Sequence, residues 1–407
     1  MDFEQKLARY ARVLVEVGLQ LESGDRLLVK AGIDAAPLVR LVTEAAYGIG
    51  AVNVDVLWSD PVTKRARFAT GPDAAIEELP LDAAAYERAG ERGDSFLFIA
   101  TEDPELLADI DPALVARAEQ AFAKATTGFR TSMMSLQSIW CVVAAPSPSW
   151  AARVFPDRDS DEAIDRLWEA VFATCRVDAD DPVAAWRTHL ADLDARCAHL
   201  NGRSFDGLRY EGPGTDLSIG LLPGHLWVAG AAGKRGSVPN LPTEEVFTSP
   251  DRMRADGVVR ATKPLSHFGT MIDDFTLHFE DGAVVSAKAG TGQAALDRIL
   301  GMDGGAVRLG EAALVPQSSL VAAQHLVWRN TLYDENDASH LALGRAYPIC
   351  LEGGTALSPD EQIAAGLNHS DVHVDFVVGS AELDVYGVTA EGAEEPLLRR
   401  GEWAFEV

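Results

Sequence analysis

The stretch "HSDVHVDFVVGS", residues 369–380, sets a histidine and an aspartate inside what otherwise reads as a strand. Val372, Val374 and Phe376 alternate with His373 and Asp375. Side chains alternate between the two faces of a strand, and residues two apart stand side by side about 7 Å along it. The apolar residues therefore pack one face, and His373 and Asp375 project together from the other. Taken alone, this describes a half-exposed strand with a polar outer face. The rest of the chain decides whether that face has chemistry.

Outward from this segment, the 407 residues suit two domains, because single cores stop growing near about 250–300 residues. With 47% hydrophobic and 24% charged residues, the composition is that of a globular protein with material for a core. No run approaches the ~20 apolar residues of a membrane span. The opening "MDFEQKLARYARVL" reads as an amphipathic helix and not as a signal peptide. Cys141, Cys175, Cys197 and Cys350 are scattered without CxxC spacing, which points to reduced thiols in a cytoplasmic protein and away from thiolate metal sites. The net charge of −27 argues against nucleic-acid partners, which need clustered Lys and Arg.

The first half alternates helix and strand. "FEQKLARYARVLVEVGLQL" has helical periodicity, "RLLVKAG" is a short strand, and "AAPLVRLVTEAAYGIG" is a helix closed by glycine. "VNVDVLW", "SFLFIAT" and "SIWCVVAAP" are further strands, and residues 160–200 read as helical throughout. Strands spaced by helices predict an α/β domain with a mostly parallel sheet over 1–200. The cluster of turn residues in "NGRSFDGLRYEGPGTDLSIGL" marks a boundary, and a mixed α+β domain follows over 201–407, with helices expected near 291–301 and 337–347. All nine histidines lie at or after His189. Imidazole is the commonest metal ligand and the acid–base group of neutral pH, so any such chemistry belongs to the second domain.

That domain offers several candidates. "AVVSAKAGTGQAAL" sets Gly290, Gly292 and Ala295 in a GxGxxA pattern between a strand and a helix, a weak echo of dinucleotide-binding turns. "PNLPTEEVFTSP" holds Glu244 and Glu245 in a proline-stiffened loop that could equally be a helix start. "RLGEAALVP" carries Glu311 at the beginning of an apolar strand. "LYDENDASHLALGRAY" reads as a helix, in which His340 and Tyr347 would lie two turns apart on nearly one face. Carboxylates and imidazoles from separate elements, with no cysteine, suit a site for two divalent ions. Glu245, Glu311 and Asp375 bring three negative charges against the four positive charges of two such ions, and His340 and His373 are neutral donors. The residual positive charge favours activating a water near neutral pH. Oxygen and nitrogen donors fit zinc, cobalt or manganese alike.

These segments, together with "NHSDVHVDFVVGSAELDVYG", "GPGTDLSIGL" and the closing "GEWAF", resemble the thermophilic-type metalloaminopeptidases, the aminopeptidase T and aminopeptidase S family. The resemblance runs over the whole chain. It implies a dimeric two-metal exopeptidase acting on peptides with a free N-terminus, its metals held in the C-terminal domain. Residue by residue, it implies metal ligation by Glu245, Glu311, His340, His373 and Asp375, with Glu311 bridging. It also implies an active-site tyrosine at Tyr347 and an active-site acid at Glu335, as a further ligand or as general base. The family's pattern has a glutamate after the asparagine ahead of VHVDF, where this chain has His369. Two rivals remain at this stage. One is another two-metal amidohydrolase on small amides or dipeptides, and the other, resting on the glycine patterns, is a dinucleotide-binding oxidoreductase.

Overall fold

A computed structural model describes residues 1–101, 103, 105–134, 137–267 and 270–407. The chain forms two compact units, Met1–His189 with Ala231–Thr243, and Leu190–Gly230 with Glu244–Val407. The fold is mixed α/β, with one parallel sheet and two antiparallel ones.

In the first unit, four parallel strands lie in the order Asn53–Ser59, Arg26–Gly32, Ser95–Ala100, Trp140–Ala144. Arg26–Gly32 is internal and nearly all buried, as an apolar run covered on both faces requires. Asn53–Ser59, at the edge, is half-exposed. The helix Ala36–Ile49 ends at Gly50, whose φ of 103° puts it in the left-handed region that favours glycine. The helix expected over 160–200 is interrupted. Ser160–Thr174 stops, Arg176 turns back at φ 57°, and a new helix, Pro182–Arg203, begins. Pro182 is the physical reason, since proline suits the first helical position but cannot sit inside a helix.

The second unit holds a nine-stranded sheet and a five-stranded sheet. Among the described residues every strand pair in both is antiparallel. The GxGxxA segment does lie between a strand, Ala283–Thr291, and a helix, Gln293–Leu300. That strand pairs antiparallel with Thr270–Glu280, so the GxGxxA segment is not the turn of a βαβ unit. Gly292 serves the turn: its φ is 78°, and a Cβ there would fall 2.4 Å from the Met271 carbonyl oxygen.

The five-stranded sheet has the order His373–Val377, His340–Gly344, Leu309–Leu314, Val246–Thr248, Val228–Ala229. The sequence reading over 337–347 is corrected here. The helix spans Thr331–Asp337 and ends, and His340–Gly344 is a central strand paired on both sides. Leu341 and Leu343 enter the main core with Ala312, Leu314, Val374 and Phe376 from its two neighbours. Burying that face against flanking strands outweighs the modest helix preference of alanine and leucine.

Candidate metal centre

Register explains why the polar residues meet. Ala342 lies opposite both Glu311 and Asp375, Gly344 opposite His373, and Ala313 opposite His340. Leu341 and Leu343, one residue out of phase, point into the core. Glu311, His340, His373 and Asp375 therefore share the other face, on three adjacent strands. Same-face neighbours across strands have Cβ atoms about 4.5–5.5 Å apart. Alanine and glycine between the charged residues leave room for their side chains.

A bulge adjusts this face. Register shifts between Leu309 and Glu311, at Gly310. A Cβ on Gly310 would lie 2.3 Å from the Arg345 carbonyl oxygen, so only glycine lets that carbonyl approach. The same oxygen accepts a 2.7 Å hydrogen bond from His373 Nδ1. This fixes the tautomer and turns Nε2 toward the acids. His340 Nδ1 faces the Ala338 carbonyl at 3.4 Å, so its Nε2 also turns inward.

The inward nitrogens meet carboxylates. His340 Nε2 is 3.2 Å from Glu245 Oε2 and 3.8 Å from Glu311 Oε1. His373 Nε2 is 3.2 Å from Glu311 Oε2 and 3.2 Å from Asp375 Oδ1. Two donor groups result, Glu245–Glu311–His340 and Glu311–His373–Asp375, each with its atoms within 4.8 Å of one another. The first is wholly buried, and the second has a buried Glu311 with half-buried partners. Glu311 belongs to both.

Electrostatics show the strain of such a cluster. Burial, with Glu311 and Asp375 nearby, pushes the Glu245 carboxyl up despite the facing His340. Burial pulls His340 and His373 down, but the facing carboxylates outweigh it and hold both imidazoles well above their ordinary value. Burial would raise Asp375, yet His373 and His340 hold it below the usual range. Glu245 Oε2 and Asp375 Oδ1 are buried with no hydrogen bond among the described residues. Buried carboxylate oxygens met only by an imidazole at 3.2 Å are costly, and a shared cation relieves that cost. The oxygen and nitrogen donor set thus fits divalent cations.

Glu335 lies on the helix Thr331–Asp337, which Asn330 caps by accepting from the Leu332 N–H. It shares a small cavity wall with Asp375, Thr331 and Ser266. Burial and then the charges of Asp375 and Glu245 drive its carboxyl well above the ordinary range. Tyr347 is not on a helix. It precedes the short 3-10 turn Pro348–Cys350, with its N–H donating to Ser249 Oγ at 3.0 Å. Its ring still reaches the site, edge-on to His373 at 4.9 Å and against Phe247 at 5.6 Å. Burial and the surrounding carboxylates keep its phenol protonated far above neutral pH.

The structure thus gathers Glu245, Glu311, His340, His373 and Asp375, with Glu335 and Tyr347 at the margin. Sequence reasoning missed their supports. Buried Asn336 accepts from the Glu244 N–H at 2.7 Å while its own amide donates to the Leu332 carbonyl and to Glu335 Oε1. It ties the Glu245 segment to the Glu335 helix. Its partner at residue 244 is 92 positions away, so no local pattern announces the bond. His369 is exposed.

Comparison with known proteins bears on this arrangement. The family model described as thermophilic metalloprotease (M29) matches residues 3–403. The chain belongs to the thermophilic metalloprotease (M29) family. As a member it is a metalloprotease-type hydrolase. It is 45% identical over 409 residues to Aminopeptidase 2 of Geobacillus stearothermophilus, covering 100% of this chain and 99% of that protein. Aminopeptidase T of Thermus thermophilus is 42% identical over 407 residues, covering 98% of this chain and 99% of the relative. Among solved structures, wild-type AmpT from Thermus thermophilus superposes with a TM-score of 0.92 at 41% identity, covering 99% of this chain and 100% of that one.

Proposed function

We propose that this M29-family hydrolase is an aminopeptidase that holds two divalent cations and removes the N-terminal residue from peptides. One observation carries the reading: Glu311 belongs to two donor groups at once, one completed by Glu245 and His340 and the other by His373 and Asp375. Zinc, cobalt or manganese suits these donors. The names of the relatives supply the exopeptidase part. When bound, the cations supply Lewis acidity, polarising a peptide carbonyl and lowering the pKa of water toward neutrality.

The protein's own groups do the remaining work. Tyr347 keeps its proton and donates from Oη to the substrate carbonyl oxygen as negative charge develops there. Glu335, at the cavity wall beside Asp375, takes a proton from the attacking water and passes it to the leaving amine. The free α-ammonium of the substrate is drawn to the carboxylates of Glu335 and Asp375 at the shared cavity. A cytoplasmic location accords with four free, buried cysteines. A homodimer is expected from the family resemblance, and sedimentation at micromolar concentration tests it.

The test of the activity pairs metal analysis with substrates. Metal-free protein is titrated with zinc or cobalt and assayed on dipeptides and on the same dipeptides N-acetylated. Two ions per chain, with cleavage of the free peptides alone, is the expected result. Cleavage of acetylated peptides at comparable rates would instead identify a general amidase.

A further inference from the structure

The two donor groups are supported by separate anchors. Glu245 follows the residue whose N–H is held by Asn336. His373 and Asp375 depend on the turn before their strand, residues 368–371, and that turn is tied to a loop far away in sequence. Asp303, just beyond the helix Gln293–Leu300, accepts from the Gly305 and Ala306 N–H groups at 2.8 and 2.9 Å. Its carboxylate also accepts from Ser370 Oγ at 2.9 Å and from the Asp371 N–H at 2.7 Å. Both oxygens of one side chain thus bind two loops together.

The clasp leads directly to His373. The Arg345 guanidinium donates through Nε to the Ser370 carbonyl at 2.8 Å, and the Arg345 N–H donates to the Val372 carbonyl at 2.7 Å. The Arg345 carbonyl in turn receives His373 Nδ1. Buried Asn368 completes the frame, donating to the Gly305 and Gly344 carbonyls. The backbones are in contact here, since a Cβ on Gly305 would fall 2.0 Å from the His369 carbonyl oxygen. Residues 303–306, 344–345 and 368–373 therefore form one hydrogen-bonded block with His373 at its inner edge. Among the described residues none of these bonds ends on Glu245 or His340, although Gly344 closes the strand that carries His340.

We infer that Asp303 is a positioning residue for one half of the metal centre: through the Ser370–Asp371 turn and Arg345, it sets the aim of His373 and the affinity of the Glu311–His373–Asp375 group. The inference rests on the two-metal reading. Outer partners that orient a metal ligand typically contribute about 10- to 100-fold in metal affinity. An outer anchor that acts on one half alone predicts an asymmetric loss.

The experiment uses full-length Asp303→Asn and Ser370→Ala, each stripped of metal and titrated with zinc by competition against a chelating dye. In Asp303→Asn the new amide must turn an N–H toward either the Asp371 N–H or the Gly305 and Ala306 N–H groups, so one side of the clasp opens without loss of volume. Ser370→Ala removes a single hydroxyl and serves if the first variant folds poorly. The expected result is two binding steps, one weakened about 10- to 100-fold and the other within about threefold of wild type. With cobalt as the probe, the visible spectrum of the first equivalent should match wild type and that of the second should not. Unchanged affinities in both variants, or parallel loss at both steps, would overturn the inference. Wild-type protein that binds fewer than two ions would overturn the two-metal reading itself, before any variant is compared.

Discussion

Replacing Tyr347 by phenylalanine removes one oxygen and tests one assignment. The ring is held by its edge contact with His373 and by Phe247, and the backbone by Ser249, none of which uses the hydroxyl. Among the described residues the hydroxyl has no hydrogen-bond partner, and it is not among the buried unsatisfied atoms. Its deletion therefore breaks no internal bond, and stability should change by less than about 0.5 kcal/mol. A directed donor to an oxyanion is worth about 10²–10³ in turnover, or about 2.7–4 kcal/mol of barrier. Tyr347→Phe should lower kcat by that factor, leave KM within about threefold, and keep its metal complement. The assay is steady-state hydrolysis of a dipeptide, run beside metal analysis of the same preparation. Unchanged kcat would return Tyr347 to a packing role. Lost metal would make it a ligand.

Three further outcomes follow from the same geometry. His373→Ala and Asp375→Ala should each lose metal and activity while the far-ultraviolet circular dichroism stays native, because Val372, Val374 and Phe376 still fill the core face; full metal occupancy in either would refute their role. Asn336→Leu should cost about 1–3 kcal/mol in urea unfolding, since the Glu244 N–H loses its partner in a buried setting, and a change under 0.5 kcal/mol would contradict the clip. Asp303 predicts an acid limb of stability. Burial would raise its carboxyl, but the Asp371 N–H, Ser370 hydroxyl and Gly305 and Ala306 N–H groups hold it below the ordinary value. A depressed folded-state pKa contributes stability that is present above the unfolded value of about 3.9 and fades as pH falls through the folded one. Asp303→Asn should therefore be destabilised near neutral pH, with the gap to wild type in urea midpoints beginning to narrow only as pH falls below about 4 and closing below the folded-state pKa.

What the sequence settled by itself was local. The four strands of the parallel sheet, the helix closed by Gly50 and the alternation of VHVDF were legible because their patterns repeat within a few residues. The opposite faces of Val374 and His373 follow from strand geometry alone. The family resemblance singled out the residues that the fold then gathers. Tertiary structure decided the rest. The segment ASHLALGRAY reads as a helix because alanine and leucine suit one. It becomes a strand because Leu309–Leu314 and His373–Val377 flank it and supply its backbone hydrogen bonds. That change moves Tyr347 from a helix face to a turn, yet the ring still meets His373, for a different reason than seven-residue spacing. The Gly310 bulge, the Asn336 clip and the Asp303 clasp join residues tens of positions apart. Each is a hydrogen-bond or steric relation between segments brought together only by folding, so no window of sequence contains both halves of it.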